Sequence, residues 1–281
     1  MRAFETLLNH IVSLHHYTPQ PFRHWFAVAL TWSTGWAQIV HFSAQILVLA
    51  LSPSSYRRSQ RGTLVRSIYR ATRPLLLSFT LLSAVVALVI IRIVVATSLS
   101  YGLSRYALDV LVRTLVLELI PLSAAFAVAV RYSLAAGDEV RALRAHGGFE
   151  AQMKRGIDPT RDIVLPHVLA STFAVVTLAL LSSVVTLVLT YLSVYGFALW
   201  GVDNFTRAVG QVFNPVIGLI FLIKTVFLSL AVAVIPMVTT PRELAATVPA
   251  SGRTPADLTR LARLLAVILL IEVLSLVGNY Y

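Results

Sequence analysis

Long apolar stretches separated by short polar segments dominate the chain. Four of them are long enough to cross a bilayer as helices, because a spanning helix needs roughly 20 apolar residues and satisfies its backbone polar groups internally. A fifth stretch is shorter. The five stretches cover approximately residues 75–98, 108–130, 164–195, 212–238 and 261–277. The pattern predicts an all-α integral membrane protein with five transmembrane helices.

The stretch 22–51 is also long enough to span, but polar side chains interrupt it. Its residues Trp25, Trp32 and Trp36 are spaced by seven and four positions, which gathers the indole rings toward one face of a helix. Such a helix is typical of the headgroup region, so we predict an N-terminal interfacial helix. The alternative is a tilted first span whose polar residues face its neighbours, which would give six transmembrane helices.

Positive charge alternates between the segments that connect the apolar stretches. Six arginines lie in the segment 52–73, and the segments 131–162 and 242–263 are also rich in arginine and lysine. The segments 101–106 and 200–207 carry few basic residues. Because basic segments of membrane proteins face the cytoplasm, the alternation predicts a multi-pass protein with a cytoplasmic N-terminus.

Composition excludes a soluble fold with its own catalytic or motor domain. Of the 281 residues, 57% are hydrophobic and only 12% are charged, and the spans leave no room for a separate soluble domain. We therefore predict one membrane domain over residues 1–281. It comprises an N-terminal and interfacial part, 1–51, a basic cytoplasmic connector, 52–73, and a transmembrane bundle, 74–281.

No catalytic or metal-binding motif is present in the sequence. It lacks a G-x-x-x-x-G-K-[ST] phosphate loop, H-E-x-x-H and G-x-S-x-G. None of the seven histidines has a second histidine at helical spacing beside an acid, and there is no cysteine. We therefore predict a non-catalytic protein without a metal site, in which any energy for work comes from another subunit.

Among the ionisable residues inside the apolar stretches, four are candidates for a functional site: Arg92, Glu118, Lys224 and Glu272. A charge at the centre of a bilayer costs at least about 2.5–3.5 kcal/mol on insertion scales, so such residues indicate a functional site or a buried pair. Lys224 with Glu118 or Glu272 is the natural pair in the bundle interior. Alternatively, such pairs only fix helix packing, and Arg92 extends to the outer interface.

The segment 138–155 predicts a short amphipathic helix presented to a partner protein. Val140 and Leu143 recur at roughly helical spacing among charged residues. The pair Gly147-Gly148 indicates a break partway along it. The alternative is a solvated loop with some helicity.

A longer pattern of residues extends over the middle of the chain and into the fourth apolar stretch. It comprises Glu118-Leu119-Ile120-Pro121, Arg131, Glu139, Arg144-Ala145, Met153, Asp158-Pro159, Arg161, Pro166 and Leu222-Ile223-Lys224-Thr225. This pattern resembles the central signature of the MlaE/YrbE family, of which this chain looks like a divergent member. Members are permease subunits of ABC transporters that work with MCE proteins in phospholipid trafficking across the Gram-negative envelope.

The resemblance implies a bacterial inner-membrane permease and a set of partners. The partners are a cytoplasmic ABC ATPase that binds the ATP, a periplasmic MCE-domain protein, and a second permease copy or paralogue that completes a dimer. Phospholipid or a related lipid would be the cargo, which relates the complex to outer-membrane lipid asymmetry. The alternative is a non-transporting membrane scaffold or assembly subunit of such a complex.

The resemblance also assigns roles to individual residues. Glu118 and Lys224, with Glu272 as a further partner, would form a buried charge cluster on the lipid path. Arg92 matches no motif of the family, and its place inside an apolar stretch makes it a candidate for contacting a lipid headgroup. We call 138–155 the coupling segment, because it would dock on the ATPase. The residues expected to serve this coupling are Arg131, Asp138, Glu139, Leu143, Arg144, Met153 and Asp158.

Overall fold

The computed structural model describes residues 20–53, 58–102, 104–238 and 255–280, and nearly all of them are helical. The chain divides into two compact units, Met1–Ala44 and Gln45–Tyr281. We number the helices in chain order. They are α1 Gln20–Leu51, α2 Arg58–Ser100, α3 Tyr106–Ala145, α4 Gly148–Lys154, α5 Thr160–Tyr195, α6 Val202–Val212, α7 Pro215–Met237 and α8 Pro255–Tyr280.

Five helices of the described ranges, α2, α3, α5, α7 and α8, are long and apolar enough to cross a membrane. The prediction of an all-α membrane protein with five spanning helices is therefore confirmed. The helices extend beyond the apolar stretches that predicted them. The basic segment expected to be a connector joins the first span from Arg58 onward, and α2 continues through Pro74. Hydropathy marks where a helix meets hydrocarbon, whereas backbone hydrogen bonding decides where it ends.

The N-terminal region is helical where it is described. The single helix α1 contains all three tryptophans that predicted an interfacial helix. Residues 1–19 lie outside the described residues. Whether α1 lies in the interface or spans the bilayer stays a prediction.

Helix α5 is the central element of the larger unit. It packs along α2 and also against α3 and α7, while α8 packs against α7. Its buried positions include small side chains such as Ala170, Ala174, Ala179 and Ser182. Small residues let helix backbones approach closely, which is the main way in which helices associate inside a membrane. The buried face of α5 therefore allows several spans to pack around it.

The start of the fourth span differs from its prediction. The apolar stretch was read from residue 212, but Val212 ends the separate helix α6, which was not predicted. Helix α7 begins at Pro215, and the side chain of Asn214 accepts a hydrogen bond from the backbone of Ile217 at 2.9 Å. An Asn cap followed by proline is a helix start signal. This start signal was missed in the sequence because the residues on both sides of it are also apolar.

Within the described residues, three stretches are π-helical rather than α-helical: Val112–Leu119, Ala129–Ser133 and Thr160–Val164. The first two lie within α3 and the third begins α5. Such wide turns are rare and often occur at functional sites. The first stretch contains Glu118 and the second contains Arg131, so both fall where α3 departs from regular geometry.

Candidate functional site

Three of the four ionisable residues predicted inside the spans meet in one buried cluster. Lys224 of α7 is only 3% exposed. Its Nζ donates hydrogen bonds to a carboxylate oxygen of Glu118, to Oε1 of Glu272 at 2.9 Å and to the carbonyl oxygen of Leu117 at 3.1 Å. The sequence suggested one acid or the other as the partner of Lys224. The structure places both against it, and we call these three side chains the charge cluster.

The charge cluster joins three spanning helices, since Glu118 lies in α3, Lys224 in α7 and Glu272 in α8. A lysine ammonium has three N–H donors, and all three find acceptors here. A ligand that approaches Lys224 must therefore displace one of these acceptors. Two acids on one base also make the cluster sensitive to any change in the spacing of its helices.

A cavity of about 360 Å³ opens between α7 and α8 beside the charge cluster. Such a volume lies in the range of small-molecule sites, which are mostly apolar with a few polar groups that fix orientation. Apart from Lys224 and Ser275 its lining is apolar. The lining residues are Ile220, Ile223, Lys224, Phe227, Ile271, Leu274, Ser275 and Gly278. The arrangement suits an amphipathic molecule whose polar part reaches Lys224.

The structure does not bring Arg92 to the charge cluster. Arg92 lies on the exposed face of α2, eight residues before the helix ends at Ser100. Neither a hydrogen bond nor an ion pair links it to another described residue. Its expected contact with a lipid headgroup stays a prediction.

The coupling segment folds as two helical pieces with a sharp turn between them. Helix α3 ends at Ala145, Gly147 adopts a left-handed conformation with φ of 71°, and α4 follows from Gly148. The break predicted at the glycine pair is therefore present. The guanidinium of Arg144 lies over the buried ring of Phe149, 4.6 Å from its centre. This contact holds α4 against the end of α3.

Asp138 connects the coupling segment to the last span. Its Oδ1 accepts a hydrogen bond from Nη1 of Arg260 at 3.0 Å and another from Nη2 of Arg141 at 3.2 Å. Arg260 belongs to α8 and is only 4% exposed. Sequence reasoning missed Arg260, because an arginine at the cytoplasmic start of a span is the usual positive-inside feature.

The remaining predicted coupling residues lie apart from the charge cluster. Glu139 and Leu143 line a groove of about 320 Å³ between the end of α3 and the start of α5. Met153 of α4 and Arg131 of α3 are exposed. The side chain of Asp158 accepts a hydrogen bond from the backbone of Thr160 at 3.0 Å, which caps the start of α5.

Two further polar contacts between α3 and α5 were not predicted. The hydroxyl of Tyr132 lies 2.9 Å from Nδ1 of His167, and the hydroxyl of Ser133 donates to that of Ser171 at 3.0 Å. The sequence contains no local signal for these pairs, which are more than 30 positions apart. They fix the register of α3 and α5 next to the coupling segment.

The part of the chain that the structure describes contains no group of three or more histidines and acids placed to hold a metal ion. The ion pairs that join different helices include the charge cluster within the spans and the Asp138–Arg260 pair at the coupling segment.

Comparison with known proteins identifies the family. None of the curated proteins compared with the chain matches it. A family model described as Permease MlaE matches residues 64–251, which is well over half of the chain and includes Glu118, Lys224 and the whole coupling segment. With five apolar helices of spanning length, the protein is a multi-pass membrane protein. The chain belongs to the MlaE permease family and is a permease subunit of an ABC-type transporter.

Proposed function

We propose that this permease moves phospholipid or a related lipid between the bacterial inner membrane and a periplasmic MCE-domain protein. A second permease copy or paralogue completes the membrane part, and a cytoplasmic ATPase supplies the energy. The observation that carries the proposal is the cavity between α7 and α8, which combines a mostly apolar lining with one buried cation. A lipid has the matching chemistry, since its acyl chains are apolar and its phosphate is anionic.

Lys224 gives the cavity a means to recognise a phosphate. Its ammonium is a compact charge that binds phosphate well, but in this structure all three of its donors are occupied. A headgroup therefore competes with Glu272, whose contact of 2.9 Å lies on the helix that forms the opposite wall of the cavity. Entry of the headgroup thus breaks the contact between Lys224 and Glu272, and α8 moves away from α7 when this contact is broken.

The coupling segment supports the ATPase part of the proposal. Met153 is 62% exposed, and Glu139 and Leu143 line an open groove. An exposed methionine suits docking on another protein, because methionine adapts to irregular partner surfaces. The first experiment is to purify the chain with the products of neighbouring genes and to identify proteins and lipids by mass spectrometry.

A transport assay with matched variants tests the cavity. Ile223 lines the cavity, whereas the adjacent Leu222 does not and is 59% exposed. We expect Ile223→Trp to fill the cavity and abolish ATP-dependent transfer of labelled phospholipid from proteoliposomes to the MCE protein, while Leu222→Trp retains it. If both variants transport as the wild type does, the cavity is not the lipid path. A wild-type complex that binds ATPase but moves no lipid would instead favour a scaffold.

A further inference from the structure

The three helices of the charge cluster also meet at a second level, at the coupling segment. Gly137 of α3 packs directly on the end of α7, where a Cβ atom at this position would lie within 2.8 Å of the carbonyl carbon of Pro236. The next residue, Asp138, binds Arg260 of α8 at 3.0 Å. Helices α3, α7 and α8 are therefore joined at two places. One is the charge cluster, and the other is formed by Gly137 and Asp138, where the coupling segment begins.

Among these contacts at the start of the coupling segment, the burial of Arg260 is the feature that packing alone explains least. It is 4% exposed, whereas the side chain of its partner Asp138 is 53% exposed. Burying a guanidinium is costly unless it is paired. Removing the carboxylate would therefore leave a buried charge without this partner, and α8 would gain by shifting so that Arg260 reaches water.

Helix α8 can carry such a shift to the charge cluster. Arg260 and Glu272 are separated by 12 residues of one continuous helix, with neither proline nor glycine between them. At 1.5 Å per residue this is about 18 Å. Sharp kinks arise mainly at residues such as proline and glycine, which are absent from this stretch, so a displacement at Arg260 changes the position of Glu272 relative to Lys224.

We propose that Arg260 is a positioning residue for transport. Its ion pair with Asp138 ties α8 to the coupling segment, so that movement of the segment changes the contact between Glu272 and Lys224 and the width of the cavity. The proposal rests on the proposed function, because it assigns the movement to the partner ATPase. Arg260 itself is neither one of the residues that line the cavity nor a member of the charge cluster, and it acts through α8.

The experiment measures the distance between α7 and α8 by pulsed electron spin resonance in the complete complex. The chain has no cysteine, so nitroxide labels can be placed at Leu222→Cys on α7 and Val273→Cys on α8, both at exposed positions. We expect ATP to shift the distance distribution in the otherwise unchanged complex. Arg260→Gln should remove this ATP-dependent shift, and Arg260→Lys should restore it.

Two further variants make the result specific. Asp138→Asn removes the negative charge at a half-exposed position, so it tests the same ion pair even if Arg260→Gln folds poorly. Arg141→Gln is the matched control, because Arg141 binds the same carboxylate from within α3. Asp138→Asn should remove the shift, and Arg141→Gln should retain it.

The second readout is the amount of lipid moved per ATP hydrolysed. We expect Arg260→Gln to lower it by about fivefold or more, the lower end of typical coupling between two sites, while ATP hydrolysis continues. An ATP-dependent distance shift that survives in both Arg260→Gln and Asp138→Asn would overturn the proposal, as would unchanged lipid moved per ATP. If the complex shows the shift but moves no lipid, the proposed function fails and the role of Arg260 in positioning α8 stands.

Discussion

Removal of the lysine from the charge cluster separates a role in packing from a role in transport. Lys224→Met keeps the length and most of the volume of the side chain but removes its charge and all three donors. The carboxylates of Glu118 and Glu272 then face each other without a cation, and the carbonyl oxygen of Leu117 loses its side-chain partner. The variant leaves the apolar lining of the cavity in place.

The expected loss of stability follows from burial. Lys224 is 3% exposed, and the side chains of Glu118 and Glu272 are 11% and 12% exposed. Breaking a buried ion pair by removing one partner costs about 3–5 kcal/mol, because the other charge is left unpaired. The triple variant Lys224→Met/Glu118→Gln/Glu272→Gln has no charge left to bury. We expect it to regain most of the lost free energy of unfolding, since neutral replacements of buried ion pairs are often tolerated.

The assay combines unfolding in mixed micelles, followed by circular dichroism, with phospholipid transfer in proteoliposomes. Arg113→Gln is the control for stability, because the ion pair of Arg113 with Asp109 is partly exposed and should be worth less than about 1 kcal/mol. Both the single variant Lys224→Met and the triple variant should lose transfer. The triple variant should therefore regain stability without regaining phospholipid transfer.

Two results would refute this reasoning. A loss from Lys224→Met no larger than that from Arg113→Gln would mean that the charge cluster is not desolvated. Normal transfer by the triple variant would mean that the charges serve only to pack the helices, and Lys224 would then have no part in recognising a headgroup.

Two smaller predictions concern the coupling segment and the residue directly before it. Gly137→Val should lower the free energy of unfolding by about 1–3 kcal/mol, because the added side chain overpacks against Pro236. Gly210→Ala is the control and should not destabilise the protein, because a Cβ atom there meets nothing within 4 Å. Equal losses in the two variants would contradict the close approach of Gly137 to Pro236. Arg144→Gln should lower the free energy of unfolding by about 0.5–2 kcal/mol, because it removes the contact with Phe149. Backbone hydrogen exchange should become faster in α4 and stay unchanged in α5. Unchanged exchange in α4 would show that the contact between Arg144 and Phe149 does not hold this helix.

The sequence predicted the spans well because hydrocarbon imposes a strong rule on composition. Each of the five predicted apolar stretches corresponds to a helix of spanning length. The rule says little about the ends of a helix outside the hydrocarbon. That is why the basic first turns of α2, the extension of α3 to Ala145 and the amphipathic helix α6 were not predicted.

The charge cluster was predictable in its members but not in its arrangement. A lysine and two glutamates stand out within apolar stretches, and their charges make pairing necessary. Which acid pairs with Lys224 depends on how three helices pack, and the structure uses both. Arg260 and His167 carry no such signal, because each lies where a polar residue is ordinary. Only their burial and their partners, Asp138 and Tyr132, distinguish them.

The irregular turn of α3 explains why sequence periodicity alone could not give the geometry of the charge cluster. The residues from Leu115 to Glu118 are all buried, whereas a regular helix that is buried on one face turns by about 100° per residue and soon exposes some of its side chains. In the π-helical stretch the backbone N–H of Ile120 bonds to the carbonyl oxygen of Leu115, five residues earlier. Within this stretch the carbonyl oxygen of Leu117 and the carboxylate of Glu118 both accept hydrogen bonds from the ammonium of Lys224. The part of α3 that meets Lys224 therefore departs from the regular helix, and a pattern that assumes 3.6 residues per turn does not give its position.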